Sequence, residues 1–125
     1  MLCLILGIGV DLCKISRMQR MVENEHFISR IFHPAEIAYA SSKAYPEQHY
    51  ASSFASREAF AKASGLPFLK IVLQGVWVDR TVNGPVLQIS ERLVGSLPAN
   101  KGLKTHLTIS HEGEYVIAFV ILEVD

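Results

Sequence analysis

Residues 2–11 form one apolar run that halts at the carboxylate of Asp11, the pattern of a buried strand ending on an acid. Beyond it the period changes. Ile15, Met18, Met21 and Val22 recur at helical intervals with Arg17 and Arg20 on the outer side. Phe27, Ile28, Ile31 and Phe32 predict another short helical piece. His33-Pro34-Ala35-Glu36 starts a further helix, with proline in the first turn and an acid soon after, running to about Ser42. Pro46 opens a long helix whose apolar stripe is Tyr50, Phe54, Ala55, Ala59, Phe60 and Ala63, and Gly65-Leu66-Pro67 closes it.

The second half alternates instead. Lys70 to Asp79 predicts a strand through Ile71, Leu73, Val76 and Val78, irregular at Gly75. Asn83-Gly84-Pro85 is a turn, followed by a short strand from Val86 to Ile89. Ser90 caps a short helix from Glu91 to about Leu97. Thr105 to Glu112 and Tyr115 to Val124 are strands joined by a hairpin at Glu112-Gly113-Glu114. This order predicts an α+β fold, with a mainly antiparallel sheet packed on the long central helix. No repeat, linker or low-complexity tract divides it, so residues 1–125 read as one domain.

Half of the residues are apolar, and the mean hydropathy is +0.25. For a chain of 125 residues that is more apolar material than its own core needs, which points to burial against further copies. Lysine plus arginine equals aspartate plus glutamate at 12 each, which argues against a nucleic-acid binder. Local basic character gathers at Lys14, Arg17, Arg20 and Arg30. Cys3 and Cys13 form neither a CxxC pattern nor a disulfide framework. The opening apolar run, about ten residues, is too short to span a bilayer and lacks a signal peptide's basic flank. A cytoplasmic protein without membrane association is expected.

Chemistry concentrates at three places. Asp11 is read either as a turn or helix cap or as a ligand at a strand end. GIGVD is no dinucleotide fingerprint, since the third glycine and the following helix are missing. Glu58 and Lys62 are four residues apart on one helix face, and by themselves form an ordinary solvated pair. Their neighbours, however, are small or aromatic: Phe54, Ala55, Ala59, Phe60, Ala61 and Ala63. An acid at a strand end facing an acid and a base on a helix is the minimum equipment for holding a divalent cation against a phosphate. Thr108-Ile109-Ser110-His111-Glu112 ends a late strand in polar groups. Strand alternation sends Ser110 and His111 to opposite faces, which excludes a nucleophile pair and leaves His111 as a phosphate or ring contact.

Taken together, GIGVD (7–11), FASREAFAKA (54–63) and TISH (108–111), with FHPAEIAY (32–39), resemble the holo-acyl carrier protein synthases, the small class of 4′-phosphopantetheinyl transferases. The resemblance covers essentially the whole chain. It implies that Asp11 and Glu58 hold Mg²⁺ while coenzyme A supplies the pyrophosphate. A serine of apo-acyl carrier protein then attacks the β-phosphorus, and 3′,5′-ADP leaves, as in fatty-acid biosynthesis. Lys62 would neutralise or protonate the leaving side, and Glu58 would take the serine proton. His111 and Ser110 would contact the nucleotide, with Asn83, Gly84 and Pro85 near its adenine. The resemblance further implies a homotrimer with active sites between subunits. It also implies an acidic carrier-protein partner docked at Arg17, Arg20 and Arg30, with Met18 and Met21 as apolar contacts.

Three departures fall on coenzyme A binding rather than on the metal site. The family's lysine before the helix glutamate is Arg57, its arginine before the phenylalanine is Ser53, and its Gly-Thr-Gly turn is Gly65-Leu66-Pro67. The loss at Ser53 removes a cation expected near the 3′-phosphate. A non-catalytic binder of coenzyme A or carrier protein is the alternative reading. Retention of Asp11, Glu58, Lys62 and His111 argues against it.

Overall fold

Alternation along the first strand, β1 (Leu4–Lys14), decides how the chain assembles in this computed structural model, which describes residues 3–97 and 102–125. Gly7, Gly9, Asp11 and Cys13 share one face, and Ile8, Val10 and Leu12 the other. A Cβ at Gly7 would sit 1.8 Å from the Ala63 carbonyl oxygen, and one at Gly9 would sit 1.9 Å from that of Ala59. Both oxygens belong to the long helix α4 (Pro46–Ser64), so backbone lies directly on backbone. Gly9→Ala is accordingly expected to cost about 3 kcal/mol and to lower the thermal midpoint by roughly 10 °C. Calorimetry checks this; an unchanged midpoint would mean that α4 can lift off the strand freely.

The helices α1 (Ile15–Met21), α2 (Glu25–Ile31) and α3 (Pro34–Ser41) lead from β1 to α4. After α4 come α5 (Phe68–Gln74), the hairpin β2 (Val76–Thr81) and β3 (Gly84–Ile89), and α6 (Glu91–Val94). The chain ends with β4 (Lys104–Glu112) and β5 (Tyr115–Val124). One antiparallel sheet has the order β1-β5-β4, and β2 and β3 pair separately. Helix α4 packs Ala55, Ala59, Phe60 and Ala63 into a core with Val116, Ala118, Val120 and Leu122 of β5. The expected α+β arrangement is therefore present, with α4 central. The opposite face of the sheet is uncovered: Ile8, Leu12 and Ile117 are 60%, 59% and 39% exposed.

Four local expectations are corrected. The opening strand does not stop at Asp11 but runs on to Lys14, while its predicted first residue, Leu2, lies outside the described residues. Asp11 caps nothing, because the N-cap position of α1 is Lys14 and carries no side-chain cap. The strand expected from Lys70 is helix α5 as far as Gln74, and only then β2. Ile71 is buried while Leu73 is 66% exposed, so their alternation did not mark a common face. Pro67 at the N-cap and Gly75, with φ of 103°, bound the helical turn. Finally, Met18 is fully buried in the core and is not a docking contact, because the apolar stripe of α1 faces inward.

Arg57, which faces neither the sheet nor solvent, is 2% exposed and pairs with the buried Glu36 of α3. Arg57 Nη1 donates to Glu36 Oε2 at 2.8 Å and to the Ser53 carbonyl at 3.1 Å, while Nη2 donates to Glu36 Oε1. Glu36 also accepts the backbone N–H of Val78 and that of His33, both at 2.9 Å. His33 and Glu36 form a capping box at the start of α3. A single carboxylate thus ties α3, α4 and β2 together.

Candidate active site

Two clusters of polar side chains emerge on opposite sides of α4. The first is built where β1 crosses it. Asp11 stands two residues after Gly9 on the same face of β1, and its side chain points toward the helix. Lys62 Nζ donates to the Val10 carbonyl at 2.8 Å and lies 3.4 Å from Asp11 Oδ1. Lys62 therefore turns to the strand rather than closing the expected surface pair with Glu58. Burial raises the pKa of Asp11 despite the opposing charge of Lys62. Burial also raises that of Glu58, and the negative charge of Asp11 pushes it further in the same direction. The Asp11 carboxylate is therefore near enough to Glu58 to hinder its ionisation.

Their donor chemistry fits a hard divalent cation, which takes carboxylate oxygens and leaves other positions to water and phosphate. Among the described residues no group of three or more metal-ligating His, Cys, Asp or Glu side chains forms. The pair would therefore supply only part of a cation's shell. Arg17 is exposed but close enough for its charge to lower both carboxyl pKa values, so it borders this cluster. Arg20 and Arg30 are exposed in the last turns of α1 and α2, and Met21 is half-buried.

The second cluster lines a cavity of about 250 Å³ that includes Tyr39, His49, Ser52, Arg80, Pro85 and His111. His111 stands on β4 opposite Val116, which in turn pairs with Cys13, so it shares the helix-facing side of the sheet. Ser110 belongs to the other face, in register with Ile117 and Leu12, and does not join the cavity. Asn83 is exposed at the tip of the β2–β3 hairpin, where its backbone N–H donates to Thr81 Oγ1 at 3.2 Å. Gly84, with φ of 105°, completes that turn and delivers Pro85 to the cavity.

Arg80 and His49 were not among the residues expected here. Arg80 Nη1 donates to Ser53 Oγ at 2.9 Å, and Nη2 donates to Ser52 Oγ at 2.7 Å and to the His49 carbonyl at 3.2 Å. Its guanidinium carbon lies 4.9 Å from the centre of the Tyr39 ring. The pKa of His49 is lowered, first by burial and then by the positive charges of Arg80, Lys43 and His111. A sequence signal for Arg80 existed: it follows the buried Val76 and Val78 at alternate positions of β2, which directs it inward.

Asp11 and His111 occupy the two edge strands of the sheet, two strand spacings or about 10 Å apart across it. On α4, Glu58 and Lys62 lie nearly opposite His49 and Ser53 by helical geometry. One chain therefore carries two separate polar clusters.

The family model for the 4′-phosphopantetheinyl transferase superfamily matches residues 7–120. The holo-[acyl-carrier-protein] synthase of Geotalea daltonii is 38% identical over 127 residues, covering 96% of this chain and 99% of that protein. That of Geobacter sulfurreducens is 35% identical over 127 residues, covering 96% and 98%. The crystal structure of holo-[acyl-carrier-protein] synthase from Neisseria meningitidis superposes with a TM-score of 0.84 at 28% identity, covering 95% of this chain and 98% of that one. A holo-(acyl-carrier-protein) synthase from Bacillus anthracis, solved in complex with CoA (3′,5′-ADP), gives 0.74 at 28% identity, covering 97% and 98%.

Proposed function

This chain belongs to the 4′-phosphopantetheinyl transferase superfamily, and from that premise we propose that it makes holo-acyl carrier protein for fatty-acid biosynthesis. It moves the phosphopantetheine arm of coenzyme A to a serine of the apo-carrier and releases 3′,5′-ADP. The observation that carries this reading is the convergence of Asp11, Glu58 and Lys62 at one crossing of strand and helix.

The chemistry divides among these side chains. Glu58 accepts the serine proton as the general base. The serine oxygen bonds to the β-phosphorus, and the bond from that phosphorus to the bridging oxygen breaks. Lys62 neutralises the charge gathering on the departing 3′,5′-ADP, or protonates it. Asp11 holds Lys62 and, with Glu58, would hold Mg²⁺. When bound, the ion offsets negative charge on the phosphate oxygens.

Mass spectrometry of an apo-carrier protein incubated with coenzyme A tests the proposal. One phosphopantetheine increment is expected with Mg²⁺, none with excess EDTA, and recovery on adding Mg²⁺ back. No increment on several carrier proteins at saturating Mg²⁺ would refute the transferase reading; an increment that survives EDTA would refute the metal site.

The separated clusters support an active site closed by a second copy, with the acid pair of one chain meeting the His111 cavity of its neighbour. The uncovered apolar sheet face supports assembly as a homotrimer. Exposed Arg17, Arg20 and Arg30 remain the surface proposed for an acidic carrier protein, with Met21 but not Met18 as an apolar contact. No described helix is long and apolar enough to cross a membrane, and the cytoplasm is the proposed compartment. A non-catalytic reading loses one support: Arg57 is a core residue, so its departure from the family pattern bears on packing rather than on ligand binding.

A further inference from the structure

Arg80 is a half-buried cation whose hydrogen-bond partners are all neutral. Among the described residues no carboxylate pairs with it; two serine hydroxyls and a carbonyl hold it in place. A guanidinium has five N–H donors, and these bonds occupy three, leaving two. The side chain cannot deprotonate to relieve its burial. Its cavity also contains His49 and His111, with Lys43 close enough to be felt, in a chain whose formal net charge is zero. Arg80 thus sets a fixed positive charge in the cavity wall; the nearby Glu36 carboxylate is already committed to Arg57, so the matching ligand is an anion.

Coenzyme A carries two kinds of phosphate. The diphosphate belongs at the reacting centre with Lys62 and the acid pair. The 3′-phosphomonoester on the ribose, with two negative charges, is left to find a partner at the nucleotide end. Ser53 stands where the resemblance calls for an arginine. The structure shows what stands there in its place: the Ser53 hydroxyl accepts from Arg80, which reaches α4 from β2. A cation carried by β2 thus stands beside this position of α4.

We propose that Arg80, braced by Ser52, Ser53 and the Tyr39 ring, binds the 3′-phosphate of coenzyme A and makes this chain discriminate against 3′-dephospho-coenzyme A. This rests on the transferase reading above. Wild type and Arg80→Ala are compared with both donors in steady-state transfer. Arg80→Ala is expected to lower kcat/KM for coenzyme A by about 10- to 100-fold, mainly through KM. The dephospho donor should change by less than about twofold, so that discrimination collapses. Equal loss with both donors would make Arg80 merely structural, and no loss with either would leave the phosphate to other groups; both results overturn the proposal.

Calorimetric binding of 3′,5′-ADP and 5′-AMP to the wild-type protein provides an arm that needs neither a folded variant nor turnover. The bisphosphate is expected to bind at least about tenfold tighter, and equal affinities overturn the proposal. The double variant Ser53→Arg with Arg80→Ser should keep that preference, since it returns the charge to α4; its loss in a folded double variant also counts against the proposal. If no transfer occurs with either donor while the nucleotide preference holds, the transferase reading fails and the Arg80 site stands.

Discussion

Glu58→Gln is expected to slow arm transfer by about 1,000-fold or more while making the metal-free protein more resistant to heat at neutral pH. Both effects have one source. The carboxylate is partly buried and stands beside Asp11, so its pKa is raised above the ordinary 4.5. A carboxyl whose pKa is higher folded than unfolded contributes stability that is fully present below the unfolded value. That contribution disappears as pH rises through the folded value. At pH 7 the ionised pair therefore opposes folding, and glutamine removes the opposition together with the base. Calorimetry without divalent cations should show a higher midpoint for the variant at pH 7 and a narrower gap on acidification toward pH 5. Added Mg²⁺ should raise the wild-type midpoint more than that of the variant. A variant retaining a tenth of the wild-type rate would remove Glu58 from the chemistry.

Arg57→Ala is expected to cost about 3–5 kcal/mol, because it strands Glu36 as a buried charge. Urea titration reads this as a fall in the unfolding midpoint at unchanged slope. Arg57→Lys keeps the charge but loses the fork that grips both carboxylate oxygens, so it should fall between wild type and alanine. Replacing the whole pair by apolar residues should not restore stability here. Glu36 also accepts the N–H groups of Val78 and His33, and both would lose that acceptor. A double apolar variant as stable as wild type would show that those two groups find other partners.

Most of the framework was legible because local signals agreed with tertiary ones. Pro46 and Gly65 bound α4 where proline and glycine punctuation placed its ends, and Ser90 caps α6 through the Leu93 N–H. The hairpin of the last two strands also lies where its glycine loop marked it. Asp11, Glu58 and Lys62 could be named, but not their wiring: the i,i+4 rule pairs Lys62 with Glu58, whereas the fold offers it a carbonyl and a carboxylate on β1. Residues 70–74 misled because a short apolar run fits either period, and the buried Ile71 alone cannot decide between them. Arg80 escaped because its role depends on Ser52 and Ser53, nearly thirty positions earlier in the chain. A separation of 21 positions likewise hid Glu36 as the partner of Arg57.

The glycine contacts of β1 with α4 have a further consequence. Asp11 is two residues beyond Gly9, and Glu58 is next to Ala59, whose carbonyl oxygen Gly9 accommodates. The gap between the two acids is thus gauged by main-chain atoms in van der Waals touch, a ruler that no side-chain rotamer can stretch. Turnover and robustness become separately adjustable: the alanines, valines and leucines beneath can be exchanged to tune melting behaviour while the calibration of the acid pair is left as it is.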